Sequence, residues 1–243
     1  MTARPRSAAP TPGRNAVLFD NDGVLVDSEP LHRIAWEKVF RPRGVVVSDA
    51  DYTWSVGRRD VTFAAVVIDK FGLPDEPEAL RDEKRRHLLK MVATESRTFE
   101  GLPRLVRRLA EARQLGVVSS AMLAEVKTVL KRFGLSQFVG AIVTNEDVAR
   151  HKPHPEPYLT CADRLGVEPQ HCTAFEDSIS GIESAKAAGM RVIGFSSTFP
   201  PHELRGADAV IESMADTDAV VELVESLERR SAHGLHRDVQ GQA

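Results

Sequence analysis

Cysteine and long apolar runs are both scarce in this sequence. Its 243 residues include only two cysteines, Cys161 and Cys172, which have neither a metal-ligand spacing nor the pattern of a disulfide framework. This usage is typical of the reducing cytoplasm. No run approaches the roughly 18 apolar residues that a membrane-spanning helix needs. We therefore expect a soluble, cytoplasmic protein with no membrane partner.

An excess of charge of one sign is also lacking. The chain has 32 Lys and Arg residues against 35 Asp and Glu residues, mixed along its length, for a formal net charge of -3. Proteins that bind nucleic acid usually carry a basic patch or stripe. The composition therefore argues against a nucleic-acid partner and favours chemistry on a small molecule.

Both ends of the chain are poor in apolar residues. Residues 1–14 contain three Arg and three Pro but no apolar stretch, which predicts a disordered tail rather than a secretory signal and leaves an organelle transit peptide open. We predict a second disordered tail at residues 232–243.

The remaining residues show two kinds of apolar pattern. Residues 15–19 form a short apolar run that predicts a strand, and the next stretch, residues 31–97, has helical periodicity only. From Gly101 onward, helical patterns alternate with short apolar strands. Repeated βα units of this kind form a parallel sheet with helices on both faces.

The first strand must join that sheet, because a lone strand is not stable. The sequence therefore predicts an α/β fold: a doubly wound parallel sheet, or Rossmann-like core, made from residues 15–30 and 98–231. An α-helical domain of residues 31–97 is inserted after the first strand. A chain of this length suits one domain plus an insert.

Ligands of open parallel sheets bind outside the carboxyl ends of the strands, where the strand order reverses. Polar residues follow four of the predicted strands at these ends: Asp20, Asp22, Ser119, Ser120, Lys152, Glu176 and Asp177. Any one of them alone is more often a turn or capping residue than a functional one. Their coincidence at one edge of the sheet favours a functional site.

These residue types suit magnesium-assisted phosphoryl transfer. Mg²⁺ prefers oxygen ligands, usually one or two carboxylates with waters and phosphate oxygens. Asp20 and Asp177 offer carboxylates, Asp22 a backbone carbonyl, and Glu176 a ligand that binds directly or through water. We therefore predict Mg²⁺ as the cofactor, and Lys152 as a second cation that offsets the charge of a phosphate.

The same residues can be given chemical roles. Asp20 can attack phosphorus and form an aspartyl-phosphate, and Asp22, two residues along a turn, can act as general acid and base. Ser119 can donate to the phosphoryl oxygens, which would also face the N-terminus of a helix starting near Leu123.

Four segments carry a resemblance to a known family: FDNDGVLVDSEPLH at 19–32, VVSSA at 117–121, HKPHPEPY at 151–158 and FEDSISGIESAKAAGM at 175–190. They resemble the four motifs of the haloacid dehalogenase-like hydrolases. Their order and spacing resemble the branch that contains β-phosphoglucomutase and small sugar-phosphate phosphatases. The first and fourth motifs are highly specific, whereas the second and third are weak alone.

The resemblance implies Asp20 as nucleophile, Asp22 as acid/base, Ser119 and Lys152 as phosphate ligands, and Asp177 with Glu176 as the metal site. It also implies that the helical insert is a mobile cap whose closure excludes water.

In the cap, the resemblance implies that His32 contacts the acid/base residue; the alternative is a histidine on a helix surface. Arg58 or Arg59 would meet a second phosphate, and Lys84 resembles another phosphate contact. Ala121 departs from the family pattern, because many relatives have a second hydroxyl there.

We predict a monomeric, Mg²⁺-dependent phosphatase that acts on a small phosphorylated metabolite, a sugar phosphate, through an aspartyl-phosphate. The alternative is a β-phosphoglucomutase-like phosphomutase, which would use the same core residues. A non-catalytic phosphate-binding module is a third reading, and the pair Asp20 and Asp22 argues against it. Dehalogenation is disfavoured because dehalogenases of the superfamily lack the second aspartate and the magnesium carboxylates.

Overall fold

The computed structural model describes residues 15–56 and 58–238. The predicted N-terminal tail lies outside these residues, as do residues 239–243 of the predicted C-terminal tail. Residues 232–238 of that tail are helical rather than disordered, because the last helix continues to Asp238. The described residues form two compact units: one is Ser28–Arg97, and the other runs up to Asp27 and resumes at Thr98. That these units are separate domains, divided at residues 31 and 97, stays a prediction.

The elements follow one another in the order of an α/β protein with an early helical insert. The strands are β1 (Ala16–Phe19), β2 (Gln114–Val118), β3 (Val139–Val143), β4 (Cys172–Glu176), β5 (Arg191–Phe195) and β6 (Ala209–Ile211). The α-helices are α1 (Glu29–Phe40), α2 (Asp49–Ser55), α3 (Asp60–Phe71), α4 (Pro77–Thr94), α5 (Leu102–Ala110), α6 (Leu123–Arg132), α7 (Glu156–Leu165), α8 (Ile179–Ala187) and α9 (Thr217–Asp238).

The six strands form one parallel sheet in the order β3-β2-β1-β4-β5-β6, which confirms the predicted fold class. The order reverses beside β1, whose neighbours are β2 and β4. Phe19 pairs in register with Val117 and Phe175, so β2 and β4 each extend one residue beyond the end of β1. The rings of Phe19 and Phe175 stack with centroids 5.2 Å apart.

The central strands are apolar because helices cover both faces of the sheet. Every residue of β1, β4 and β5 is buried. A large apolar core forms around Leu18, Ala174 and Val192, and includes Tyr158 of α7. At the carboxyl ends of β1 and β4 this apolar core gives way to acidic side chains, those of Asp20 and Glu176.

Helix starts differ from the predicted ones at two prolines. The sequence pattern predicts a helix from Arg104, but α5 begins at Leu102, and α7 begins at Glu156 rather than Pro157. Proline fits the first turn of a helix because the N–H that it lacks has no partner there. Gly101, at φ +83°, precedes α5, and an added Cβ would lie 2.0 Å from the carbonyl oxygen of Met214.

The unit Ser28–Arg97 is helical, as predicted, and its described part contains no β-strand. Its core combines aliphatic side chains with three aromatic rings. Trp36 stacks on Phe40 with centroids 5.1 Å apart and meets Phe63 edge-on at 5.3 Å. None of the described helices has both the length and the apolar character to cross a membrane.

Candidate active site

Three carboxylates meet where the strand order reverses. Asp20 follows β1, Glu176 is the last residue of β4, and Asp177 comes next. One carboxylate oxygen from each lies within 4.8 Å of the others. The residues are only 7%, 0% and 5% exposed, so three acidic groups lie close together in a buried place.

Lys152 supplies a positive charge to this cluster. It lies in the loop between β3 and α7, and its Nζ donates to Oδ1 of Asp20 at 2.7 Å and to Oε1 of Glu176 at 2.5 Å. A third bond, at 3.1 Å, goes to the carbonyl of Val118 at the end of β2. Residues following three different strands are thus brought together, as the sequence pattern predicts.

The charges of the cluster do not balance. Burial raises the pKa of Asp20 to about 7; Lys152 opposes this shift, whereas Glu176 and Asp22 add to it. Burial, with the charges of Asp20 and Glu176, also holds the pKa of Asp177 well above its usual range. Burial would lower the pKa of Lys152, but the two carboxylates outweigh it and raise that pKa. With three carboxyl groups and one ammonium, the cluster needs a further cation to be neutral when all three carboxyl groups are ionised.

The donor set fits Mg²⁺, since buried carboxylate oxygens are the ligands that this ion prefers and its charge would offset the excess. The carboxylate of Asp22 is outside the three-residue cluster found among the described residues. One of its oxygens, Oδ2, accepts from Nδ2 of Asn21 at 3.2 Å. This arrangement is compatible with the predicted use of its backbone carbonyl instead.

A tight turn follows β1. The carbonyl of Asn21 accepts from the N–H groups of Leu25 and Val26 at 2.9 and 3.1 Å, and Gly23 has φ +73°. A Cβ on Gly23 would lie 1.8 Å from Oδ2 of Asp177. Glycine is therefore needed here both for the left-handed backbone and for the close approach of Asp177.

Gly23→Ala is accordingly expected to weaken Mg²⁺ binding at least about tenfold, because disturbing the residues that orient a metal ligand typically costs that much. Isothermal titration of the metal-free protein measures it. Gly189→Ala is the matched control: Gly189 has φ +80°, but apart from its two chain neighbours no atom of the described residues lies within 4 Å of an added Cβ. Equal losses of Mg²⁺ affinity in the two variants would contradict the steric argument.

The raised pKa of Asp20 also predicts a pH dependence of stability. The folded protein holds this proton up to about pH 7, whereas an unfolded chain loses it near pH 3.9. The contribution of Asp20 to the free energy of unfolding is therefore complete below that lower pH and is lost as pH rises to about 7.

Between about pH 5 and pH 7.5, we expect the melting temperature of the metal-free protein to decrease more than that of Asp20→Asn does. We also expect Mg²⁺ to raise the melting temperature more at pH 7.5 than at pH 5. Thermal melts with and without Mg²⁺ measure both effects. Parallel curves for the two proteins would contradict the prediction.

Ser119 and Ser120 follow β2 but differ in their surroundings. Ser119 is buried, and its Oγ accepts from the N–H of Ala121 at 2.9 Å, so its hydroxyl proton remains available to another acceptor. Ser120 is exposed, and its carbonyl accepts from the side-chain amide of Asn145.

Helix α6 begins at Leu123, as predicted, and its N-terminus has a partner that the sequence does not indicate. Its first N–H, at Leu123, donates to Oε2 of Glu146 at 2.8 Å. This carboxylate, from the loop after β3, already caps the helix that was expected to face the phosphoryl group. The sequence pattern does not indicate the contact, because it depends on how two loops pack.

Other residues of the cluster were also missed. Thr198 donates to Oδ2 of Asp177, and Tyr158 donates to Oε1 of Glu176 at 2.6 Å. Thr198 lies just past β5, so the rule of strand ends could have found it. Tyr158 lies within the third motif, but its position on a helix gave no reason to expect a polar role.

In the helical unit, the structure brings His32 and Lys84 together. Nζ of Lys84 lies 2.9 Å from Nδ1 of His32 and 3.0 Å from both carboxylate oxygens of Asp60, and its side chain is buried. Asp60, which was not predicted, therefore neutralises the charge of Lys84. The phosphate contact assigned to Lys84 and the catalytic contact assigned to His32 stay predictions.

Arg58 and Arg59 are both exposed. The guanidinium carbon of Arg58 lies 4.5 Å from the ring centroid of Trp54, which is a cation–π contact. Arg59 immediately precedes α3, and its side chain makes no capping bond. Their predicted role as phosphate contacts also stays a prediction.

Comparison with known proteins points to one group of enzymes. A family model described as a haloacid dehalogenase-like hydrolase matches residues 15–189. The validoxylamine A 7'-phosphate phosphatase of Streptomyces hygroscopicus subsp. limoneus is 31% identical over 82% of this chain and 93% of its own. The fructose-1-phosphate phosphatase YqaB of Escherichia coli is 31% identical over 73% of this chain and 94% of its own.

A phosphomutase is among the matches as well. The β-phosphoglucomutase of Bacillus subtilis is 29% identical over 83% of this chain and 90% of its own. Among solved structures, CbbY from Rhodobacter sphaeroides in complex with phosphate has a TM-score of 0.74 at 26% identity, and the match covers 84% of this chain and 96% of that one.

Proposed function

Because the chain belongs to the haloacid dehalogenase-like hydrolase family, we propose that it is a Mg²⁺-dependent phosphatase of small phosphorylated metabolites. The observation that carries the proposal is the buried cluster of Asp20, Glu176 and Asp177, with the ammonium of Lys152 bonded to the first two. It lies at the edge of the sheet where ligands of open parallel sheets bind.

Asp20 is the nucleophile of this proposal. A carboxylate oxygen of Asp20 bonds to phosphorus while the bond from phosphorus to the leaving oxygen breaks, which gives an aspartyl-phosphate. Asp22 protonates the leaving oxygen. In the second half-reaction, Asp22 takes a proton from water, which attacks phosphorus and releases phosphate and the Asp20 carboxylate.

Asp20, Asp177 and the backbone carbonyl of Asp22 would hold Mg²⁺, with Glu176 assisting. When bound, the ion supplies charge neutralisation at the phosphoryl oxygens and at the nucleophile. Lys152 provides the second positive charge, and the Ser119 hydroxyl with the adjacent backbone N–H groups orients the phosphoryl oxygens.

The helical unit is the proposed cap, which excludes water and selects the rest of the substrate. His32 would contact the acid/base residue, and Arg58 or Arg59 would meet a distal group of the substrate. A monomeric state and a cytoplasmic location complete the proposal.

A sugar phosphate is the proposed substrate, because the relatives include enzymes named for the dephosphorylation of fructose 1-phosphate and of hexitols. A sugar phosphomutase is the second candidate, favoured by the match to β-phosphoglucomutase. The two reactions differ only in what accepts the phosphoryl group: water, or a hydroxyl of the bound sugar phosphate.

A screen of hexose and pentose monophosphates with Mg²⁺ separates the two reactions. We expect stoichiometric release of phosphate and no activation by a sugar bisphosphate, since a phosphatase needs no primed intermediate. Isomerisation of a sugar 1-phosphate to its 6-phosphate, primed by bisphosphate and almost free of phosphate release, would assign the mutase instead. Absence of both reactions with every substrate would contradict the proposed substrate class.

A further inference from the structure

The carboxylate of Glu176 already has a donor at each of its acceptor positions. Its Oε1 accepts from Nζ of Lys152 at 2.5 Å and from the hydroxyl of Tyr158 at 2.6 Å. Its Oε2 accepts from the hydroxyl and the N–H of Ser178 at 3.0 and 3.4 Å. An ionised carboxylate offers about four lone-pair positions, so these four donors use its capacity.

The position of the Glu176 carboxylate is fixed sterically as well. A Cβ added to Gly181, in the first turn of α8, would lie 2.0 Å from Cδ and from both carboxylate oxygens. The carboxyl group therefore occupies the space that any other residue at position 181 would fill. It is held between α8 on one side and Lys152 and Tyr158 on the other.

Tyr158 contributes to this arrangement in two ways. It lies on α7 with no exposed surface, and its hydroxyl bond reaches across to the end of β4. The centroid of its ring lies 5.3 Å from Nζ of Lys152. Tyr158 thus touches both members of the Glu176–Lys152 pair, whereas Lys152 is the one that also contacts Asp20.

We propose that Tyr158 is a positioning residue, whose hydroxyl fixes Glu176 as the counter-charge that places Lys152 beside Asp20. In this arrangement Glu176 mainly positions Lys152, and binding of the metal depends on Asp20 and Asp177. The inference rests on the proposed function, because it assigns Lys152 to the transferred phosphoryl group.

Tyr158→Phe removes one hydroxyl and keeps the ring. Glu176 then lacks one of the two donors to Oε1, and Lys152 is held less firmly. We expect the Kd of inorganic phosphate, measured with saturating Mg²⁺ by ³¹P NMR titration, to rise about tenfold, the size of one charge-assisted hydrogen bond. The Kd of Mg²⁺, measured alone by isothermal titration, should change less than about threefold.

Two backgrounds distinguish positioning from general support of the fold. In Lys152→Met, adding Tyr158→Phe should weaken phosphate binding no further, because the group through which Tyr158 acts is gone. Tyr52→Phe is the matched control: its hydroxyl donates to Oε1 of Glu29 at 2.9 Å in the helical unit, and its loss should leave both affinities unchanged.

Glu176→Gln provides a second variant that does not depend on the folding of Tyr158→Phe. It should weaken phosphate binding at least as much as Tyr158→Phe does, and Mg²⁺ binding much less than Asp177→Asn does. The inference would be overturned if Tyr158→Phe bound phosphate as tightly as the wild type does. It would also be overturned if Tyr158→Phe weakened phosphate binding by the same factor in the Lys152→Met background. A wild-type protein that binds Mg²⁺ and phosphate but hydrolyses no phosphate ester would instead contradict the proposed function alone.

Discussion

Asp20→Asn is expected to lower kcat by at least about a thousandfold while the protein stays folded. The amide cannot act as the nucleophile, and it also removes one negative charge from the metal cluster. The nearly equal size of the two side chains preserves the packing between β1 and β4. Steady-state kinetics with the best substrate from the screen, together with circular dichroism, measures both parts of the expectation.

Asp69→Asn is a matched control, since it makes the same chemical change at an exposed position of α3 and should leave kcat unchanged. Removal of Mg²⁺ by chelation should abolish turnover to a similar extent as Asp20→Asn, and added Mg²⁺ should restore it in the wild type only. Near-normal turnover of Asp20→Asn, or of the chelated wild type, would contradict the mechanism.

Asp22→Ala is expected to lower kcat about a hundred- to ten-thousandfold, the usual value of general acid/base help. The loss should depend on the leaving group. An aryl phosphate with an acidic leaving group needs little protonation, so formation of the phosphoenzyme from it should be slowed less than its hydrolysis. Rapid-quench measurement of both half-reactions tests this difference.

Asp22→Asn controls for the loss of side-chain volume. Asparagine keeps the shape of the side chain beside Asn21, but it cannot transfer a proton. It should resemble Asp22→Ala in rate. If both half-reactions were slowed equally with an aryl phosphate, the acid/base would have to be another residue.

The sheet was predictable because its strands are short apolar runs, and β1, β4 and β5 are buried throughout. The sequence pattern predicts strands at residues 139–143, 172–175, 191–195 and 209–211, and the bounds of β3, β5 and β6 match this prediction. β4 is one residue longer than predicted and ends at Glu176. An acidic residue at the end of an apolar run predicts the start of a loop. The sequence pattern shows that the residue is polar, but not which partners stabilise it when it is buried.

The acidic cluster was predictable for a different reason. Parallel strands end at one edge of the sheet, so residues that follow β1 and β4 must lie close together whatever the details of packing. The same rule places Lys152 near that edge, but it does not predict that Lys152 bonds to both Asp20 and Glu176.

Pairing between polar groups on different elements was not predictable. The resemblance implies a phosphate contact for Lys84, and nothing in the surrounding sequence indicates its bond to Asp60, which lies 24 positions earlier. Glu146 capping α6 and Tyr158 bonding Glu176 are of the same kind. Such contacts depend on the relative placement of elements, to which hydrophobic periodicity is insensitive.

Covalent labelling of Asp20 tests the central claim most directly. Asp22→Ala, in which hydrolysis of the phosphoenzyme is slowed, would be mixed with Mg²⁺ and a ³²P-labelled aryl phosphate, quenched in acid within milliseconds and digested for peptide mapping. The account predicts one phosphoryl group per active site, in a base-labile linkage on Asp20. Full turnover by the wild type, with no label on Asp20 in either protein, would contradict the account.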